Sequence, residues 1–228
     1  MKKIEHIIGK AMLEYSKDKS FELSLIKKDK VRFTLDIDYY FRECEDLTDL
    51  EKKAISLANG EILDVGCATG YYIPALKMNG VVDAIDISED AIKVANARGI
   101  EECHVADVFN YKPSKKYDSI TLFENNIGLG GTLSRTKKLI KILITFLKRN
   151  GKIIATIRHT DYRKKYYSSK YTPYWKGDYG KNFRWFYFNI NYLPKFCTKY
   201  HLKLEILDEA DDDEGRKIYL VRLSQNNL

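Results

Sequence analysis

The 228-residue sequence is poor in the residues that mark several common protein classes. Its 4 cysteines, Cys44, Cys67, Cys103 and Cys197, include no C-x-x-C pair, which excludes a disulfide framework and a zinc site of ordinary spacing. The 4 histidines are equally dispersed, so no metal centre is expected. Apolar runs are brief: Ile142-Leu143-Ile144 is typical, whereas a membrane-spanning helix needs about 20 residues. After Met1-Lys2-Lys3, the residues Glu5, His6 and Lys10 interrupt any signal-type apolar stretch, so a cytoplasmic chain without membrane attachment is expected. With 4 prolines and 13 glycines spread out, there is neither a repeat nor a low-complexity linker. The length suits one domain with a well-buried core.

Charge is the first positive feature. The formal net charge of +7 permits an acidic or nucleic-acid partner, although much of the excess is lysine on solvated helix faces.

Along the chain, residues 1–60 read as a lid segment. Phe21, Leu23 and Leu25, then Val31, Phe33, Leu35 and Ile37, alternate with polar residues around Lys27-Lys28-Asp29-Lys30, the pattern of a hairpin. A helix over 47–58 follows and stops at Asn59-Gly60. Residues 61–158 alternate strand and helix, with apolar runs at Ile62–Val65, Val81–Ile85, Val105–Ala106, Ile120–Phe123 and Ile153–Ile157. Unbroken runs of this length suit strands covered on both faces. Ser88 caps one intervening helix; another carries Leu139, Ile142, Leu143, Phe146 and Leu147 and stops at Asn150-Gly151. The pattern predicts an α/β fold, Rossmann-like and doubly wound, around a mostly parallel sheet. Residues 159–189 form an aromatic-rich insert that covers a substrate. Residues 190–228 give a helix near 191–200 and an antiparallel hairpin, Leu202–Leu207 and Ile218–Leu223, joined by the acidic turn Asp211–Gly215.

The chemistry concentrates in Glu61-Ile62-Leu63-Asp64-Val65-Gly66-Cys67-Ala68-Thr69-Gly70, an apolar strand running into a turn of small residues. Open α/β sheets bind ligands at such strand ends. A dinucleotide loop needs G-x-G-x-x-G, and Tyr71 occupies its third glycine position. The carboxylate of Asp64 would repel a diphosphate and attract an ammonium group. Asp86 ends the second strand, where an acid can accept from both ribose hydroxyls, and Asp107 ends the third, where it can accept from an adenine amine. Each acid alone reads equally well as a cap or a solvated loop residue. Three acids on successive strand tips beside a small-residue loop read as one binding site.

Residues 61–158 resemble the class I S-adenosylmethionine-dependent methyltransferases. Ile62–Gly70 is similar to their first motif, with Ala68 in place of the usual middle glycine. The resemblance implies a seven-stranded sheet and S-adenosyl-L-methionine as cofactor. It implies that Asp64, Gly66, Ala68 and Gly70 hold the methionine end, that Asp86 takes the ribose, and that Asp107, Ile87 and Val108 surround the adenine. Tyr117-Asp118-Ser119-Ile120, leading to Leu122-Phe123-Glu124-Asn125, resembles the strand that ends beside the methyl group. Leu147–Ile153 resembles the approach to the fifth strand. Tyr40-Phe41-Arg42, Asn125-Asn126-Ile127-Gly128 and Trp185-Phe186 further resemble a poorly characterised bacterial branch of small-molecule type, in which Tyr40 and Arg42 close over the cofactor.

For an oxygen or protonated nitrogen acceptor a general base helps, and Glu124 and His159 are the candidates. A backbone or cofactor contact for Glu124, and a helix-capping or surface role for His159, are the plainer readings. The insert carries Tyr162, Tyr166, Tyr167, Tyr171, Tyr174, Trp175, Tyr179, Phe183, Trp185, Phe186, Tyr187 and Phe188 among lysines and arginines. These rings either stack an acceptor or form a hairpin over an apolar cleft. The leading expectation is a methyltransferase for a small molecule. A nucleic-acid methyltransferase is the alternative. Against it, strand four ends Phe123-Glu124-Asn125-Asn126 rather than in the (Asp/Asn)-Pro-Pro-aromatic signature, and no Pro-Cys dipeptide is present. A non-catalytic cofactor-binding module is a third reading.

Overall fold

The computed structural model describes residues 6–19, 22–159 and 164–225, so Phe21 and Tyr162 lie outside the described residues. The chain opens with α1 (Ile7–Tyr15), β1 (Leu23–Lys27), β2 (Arg32–Leu35) and α2 (Asp49–Ser56). It continues with β3 (Gly60–Val65), α3 (Ile73–Lys77), β4 (Gly80–Asp86), α4 (Glu89–Ala97), β5 (Cys103–Val105) and β6 (Tyr117–Leu122). Next come α5 (Leu133–Phe146), β7 (Leu147–Arg158), β8 (Tyr166–Trp175), β9 (Asp178–Tyr179), β10 (Phe183–Phe188), α6 (Leu193–Lys199), β11 (Leu202–Asp211) and β12 (Lys217–Gln225).

Seven strands form the main sheet in the order β11-β12-β7-β6-β3-β4-β5. The strands β7, β6, β3, β4 and β5 run parallel, while β12 is antiparallel to both of its neighbours. Both faces of the sheet are buried, as its largely apolar strands require. Leu63, Val65, Ile120, Leu122 and Ile153 pack with α5 and α6 on one side, and Ile62, Val82, Ala84 and Ile154 pack with α2 and α3 on the other. Caps fix where the helices start. Thr48 and Glu51 exchange capping-box bonds at α2, the Ser88 hydroxyl accepts from the Ala91 N–H at α4, and Thr132 accepts from the Arg135 N–H at α5.

Helix α5 departs from the sequence reading. It ends at Phe146, before Asn150-Gly151, because Leu147 turns to an extended conformation and pairs with Tyr117 at the start of β6. A register shift follows, and Asn150 takes a left-handed φ of 69° inside the strand. Helix α1, which the hairpin reading of residues 1–60 had not anticipated, buries Ile7, Ala11, Met12 and Tyr15 in a cluster with Leu23, Ile37, Ala91 and Trp175.

A second sheet joins chain segments far apart in sequence. Its strand order is β10-β8-β1-β2, all antiparallel, with β9 also pairing β8. The expected lid hairpin and the expected insert are therefore one sheet. At its tip, Lys176 and Gly177 both have positive φ, 46° and 87°, the backbone of a tight two-residue hairpin turn. Among the described residues no helix is long and apolar enough to cross a membrane.

Candidate active site

The tips of β3, β4, β5 and β6 open into a cavity of about 780 Å³ that the second sheet and α1 cover. Strand β3 delivers Asp64, which is only 2% exposed, and the Thr121 hydroxyl of neighbouring β6 donates to its Oδ1 at 2.5 Å. Burial, opposed by that bond and reinforced by the charge of Asp86, pushes the Asp64 carboxyl up to about 7. Asp86 accepts from the Ala68 N–H at 3.0 Å and from the Ser88 N–H at 2.8 Å. Burial still outweighs those donors and raises its carboxyl above the usual range. Asp107 follows β5 and accepts from the Phe109 N–H at 3.0 Å and the Asn110 amide at 3.2 Å.

The glycine loop is shaped by backbone geometry. Gly66 and Cys67 both donate to the Ile85 carbonyl, and Gly66 has φ 84° with no room for a Cβ, which would stand 2.5 Å from Asn126 Nδ2. Ala68 occupies the left-handed region at φ 49°, which explains why a glycine is usual there.

Of the residues expected at the cofactor, the structure places Asp64, Gly66, Ala68, Asp86, Ile87, Asp107, Val108 and Tyr40 on this one cavity. It places Gly70 and Arg42 elsewhere. Gly70 packs against Ile100 and Cys103 and serves the turn through its φ of 77°. Arg42 forms a two-pronged pair with Glu51, at 2.6 and 3.2 Å, and stacks its guanidinium 3.6 Å from the Tyr39 ring centre.

The two candidate bases separate as well. Glu124 lines the cavity; it and Asn125 hold consecutive left-handed conformations, φ 50° and 59°, at the end of β6. Its Oε1 lies 2.7 Å from the Tyr39 hydroxyl and 3.1 Å from that of Tyr72. The same two hydroxyls also reach Glu51 Oε1. Each hydroxyl carries one proton, so each donates to one carboxylate at a time. Burial works against the Glu51 charge, but Arg42, Tyr72 and the Thr48 N–H hold its carboxyl below the usual range. Burial, with Glu124 and Glu51 nearby, raises the Tyr39 hydroxyl, so it stays a donor. His159, by contrast, accepts the Ile190 N–H through Nδ1 at 3.2 Å and meets the Tyr219 ring edge-on, away from the cavity lining.

Most insert rings serve packing. Phe186 and Phe188 are fully buried in the core beside α6, Tyr166 stacks on Phe186, and Tyr171 stacks on Phe183. Among the described insert aromatics, Phe183 and Trp185 line the cavity, one face of β10 by its period of two. Several site residues left little trace in the sequence. The Arg98 guanidinium donates to the Tyr40 and Arg42 carbonyls, to Thr69 and to Glu43, pinning the lid segment to the glycine loop. Asn126 donates to the Val65 and Gly66 carbonyls. Glu51 was detectable only as the last residue of a capping box, and nothing local pointed to Arg98.

Comparison with known proteins agrees with this geometry. A family model described as a methyltransferase domain matches residues 56–183, more than half of the chain. No curated protein matches it in sequence. Among solved structures, an S-adenosylmethionine-dependent methyltransferase from Bacteroides fragilis, in complex with S-adenosyl-L-homocysteine, superposes with a TM-score of 0.83 at 22% identity, covering 96% of this chain and 94% of the other. The glycopeptide N-methyltransferase MtfA gives 0.57 at 12% identity, with coverages of 85% and 99%. CalS10, an amino pentose methyltransferase from Micromonospora echinaspora, gives 0.52 at 12% identity, with coverages of 81% and 90%. The chain belongs to the methyltransferase-domain family and has the class I fold of S-adenosylmethionine-dependent methyltransferases.

Proposed function

We propose that this S-adenosylmethionine-dependent methyltransferase delivers its methyl group to a small-molecule acceptor, with Glu124 as the proton-accepting group. The supporting observation is a single cavity that runs from the acids on the strand tips to Glu124 and on to Phe183 and Trp185. Its volume, about 780 Å³, falls within the roughly 300–1,000 Å³ typical of small-molecule sites. The similar structures include enzymes named for a glycopeptide and an amino pentose.

The residues present fit the cofactor. Asp64 is a buried carboxylate with a single side-chain donor, Thr121, and a neighbouring negative charge, and an ammonium group would restore its balance. Asp64 would hold the amino-acid end, Asp86 the ribose hydroxyls, and Asp107, Ile87 and Val108 the adenine. The cofactor supplies a methyl group on a sulfonium leaving group, so the protein needs mainly alignment and exclusion of water. The second sheet and α1 provide the exclusion. Glu124, steadied by Tyr39 and Tyr72, takes the proton from an acceptor hydroxyl or ammonium.

Calorimetric titration with S-adenosylmethionine should show binding to wild type and its loss in Asp86→Ala. Release of S-adenosylhomocysteine should then depend on an ultrafiltrate of cell extract and fall steeply in Glu124→Gln. Absent binding, equal binding in Asp86→Ala, or turnover supported by RNA but not by the ultrafiltrate would each overturn the reading.

A further inference from the structure

Glu51 is buried more deeply than its capping role requires. As the last residue of the capping box at α2 it needs one oxygen, Oε2, which accepts from the Thr48 N–H at 2.7 Å and the Thr48 hydroxyl at 2.9 Å. That role can be filled at the surface, yet Glu51 is only 6% exposed. An ionised carboxylate there costs free energy unless donors surround it. Arg42 donates to both oxygens, and Oε1 also faces the hydroxyls of Tyr39, at 3.2 Å, and Tyr72. Those same hydroxyls approach Glu124 Oε1, at 2.7 Å and 3.1 Å. Tyr72 and Glu124 line the cavity, while Glu51, Arg42 and Tyr39 stand behind it.

Each phenol has one proton to share between these carboxylates. While both are ionised, the shorter contacts assign the Tyr72 proton to Glu51 and the Tyr39 proton to Glu124. Proton capture by Glu124 upsets this arrangement. Its Oε2 faces the Arg158 guanidinium at 3.9 Å, a poor neighbour for an added proton, so the new O–H forms on Oε1. Two hydrogens then point into the 2.7 Å gap between Glu124 and Tyr39. The conflict ends when the Tyr39 hydroxyl turns to a second acceptor, and among the described residues Glu51 Oε1 is the one within reach. Tyr39 does not escape by ionising, because burial, with Glu124 and Glu51 nearby, raises its hydroxyl well above the usual range.

Building on the reading of Glu124 as the proton-accepting group, we propose that Glu51 is a positioning residue for methyl transfer: it receives the Tyr39 hydroxyl as Glu124 takes the acceptor's proton. The acceptor's O–H or N–H bond breaks and an O–H bond forms on Glu124. The Tyr39 O–H bond rotates unbroken, so protonated Glu124 can donate to the Tyr39 oxygen. Arg42 keeps Glu51 ionised throughout and ready to accept. Glu51→Gln isolates this role. Glutamine serves a capping box as glutamate does, and the Thr48 N–H draws its carbonyl oxygen to the Oε2 position. Its amide hydrogens then face Tyr39 and Tyr72, which keep donating to Glu124.

The test uses the full chain saturated with S-adenosylhomocysteine, with glutamate carboxyl and tyrosine ring carbons labelled with ¹³C. The Glu124 signal is the one lost in Glu124→Gln, and the Tyr39 signal the one lost in Tyr39→Phe. During a pH titration of wild type, the hydroxyl-bearing carbon of Tyr39 should shift with the same midpoint as Glu124, without ionising. In Glu51→Gln the Glu124 midpoint should fall by about 1 pH unit. Turnover of S-adenosylmethionine with the cell-extract ultrafiltrate should fall by about tenfold or more, with affinity for S-adenosylhomocysteine unchanged. Adding Tyr39→Phe should shrink the fall in midpoint by at least about half. The other groups facing Glu124, Tyr40, Tyr71 and Arg158, are the same in each of these variants. Absent product binding in wild type, or full turnover in Glu124→Gln, would refute the underlying reading of Glu124 whatever happens at Glu51. With that reading intact, an unmoved midpoint or unchanged turnover in Glu51→Gln would overturn the role of Glu51. So would a fall undiminished by Tyr39→Phe, or a Tyr39 signal indifferent to the Glu124 midpoint. Should Glu51→Gln lose product affinity, the wild-type titration of Tyr39 decides alone.

Discussion

Replacing Asp64 by asparagine should stabilise the empty protein and disable it. Burial, together with the charge of Asp86, raises the carboxyl from 3.8 to about 7. The folded state therefore binds this proton more tightly than the unfolded chain, and stability falls as pH rises from about 4 through 7. A displacement of that size corresponds to about 4 kcal/mol at full ionisation. Because the carboxylate borders a cavity, solvent reduces the realisable gain to about 1–2 kcal/mol. For a chain of this length that raises Tm by about 2–8 °C at pH 8. Asparagine preserves the acceptor for the Thr121 hydroxyl, so the packing of β3 against β6 is kept. Thermal unfolding followed by circular dichroism at pH 8, 7, 6 and 5 would show the variant's advantage shrinking steadily toward acid. In the same variant, affinity for S-adenosylmethionine should drop by at least about tenfold, since a charge-assisted bond is lost. In wild type that affinity should rise between about pH 6 and 8 as Asp64 ionises, with a proton released on binding. A variant no more stable than wild type at pH 8, or an advantage independent of pH, would refute the electrostatic argument.

Two further outcomes test the cover of the site. Arg98→Ala removes the donors that hold the Tyr40 and Arg42 carbonyls; it should weaken cofactor binding by about 1–3 kcal/mol and speed amide hydrogen exchange across residues 39–43, while leaving the exchange of β3 and β6 unchanged. Gly128→Ala would put a Cβ 2.3 Å from the Phe186 carbonyl oxygen and 2.7 Å from Trp185 Nε1. Displacing β10 in this way should cost about 1–3 kcal/mol in a denaturant titration and change the tryptophan emission, and an unperturbed spectrum would count against the placement of Trp185.

The main sheet was legible because each of its strands announces itself locally. Ile62–Val65 and Ile153–Ile157 are apolar apart from Asp64 and Thr156, and two of the helices between them begin at hydroxyl caps, Ser88 and Thr132. The binding loop was legible for the same reason, since a turn, its small residues and its acid are consecutive. What stayed hidden was non-local. The pairing of Ser24 with Tyr174 and of Leu25 with Pro173 leaves no mark in either segment, because a strand edge offers the same backbone groups to any partner. The insert's aromatic content fits either ring stacking with a ligand or a hairpin over an apolar cleft, and the structure divides the rings of β10 between the two sides, with Phe186 and Phe188 in the core and Phe183 and Trp185 lining the cavity. The resemblance puts both Tyr40 and Arg42 over the cofactor; Tyr40 lines the cavity, while the Arg42 guanidinium pairs with Glu51, nine residues on, a contact with no local sequence signal. Helix α1 carries Ile7, Ala11, Met12 and Tyr15 at helical spacing, a weaker local signal than the two-residue alternation that follows it.

The hydrogen bonds between β1 and β8 make the two ends of the cover mechanically inseparable. Any opening that lifted the insert would carry the amino-terminal hairpin with it. A version truncated ahead of β2 would leave the β8 edge bare, inviting intermolecular strand addition and aggregation. Grafting the insert onto a relative to transfer specificity would, for the same reason, need the first hairpin to travel with it.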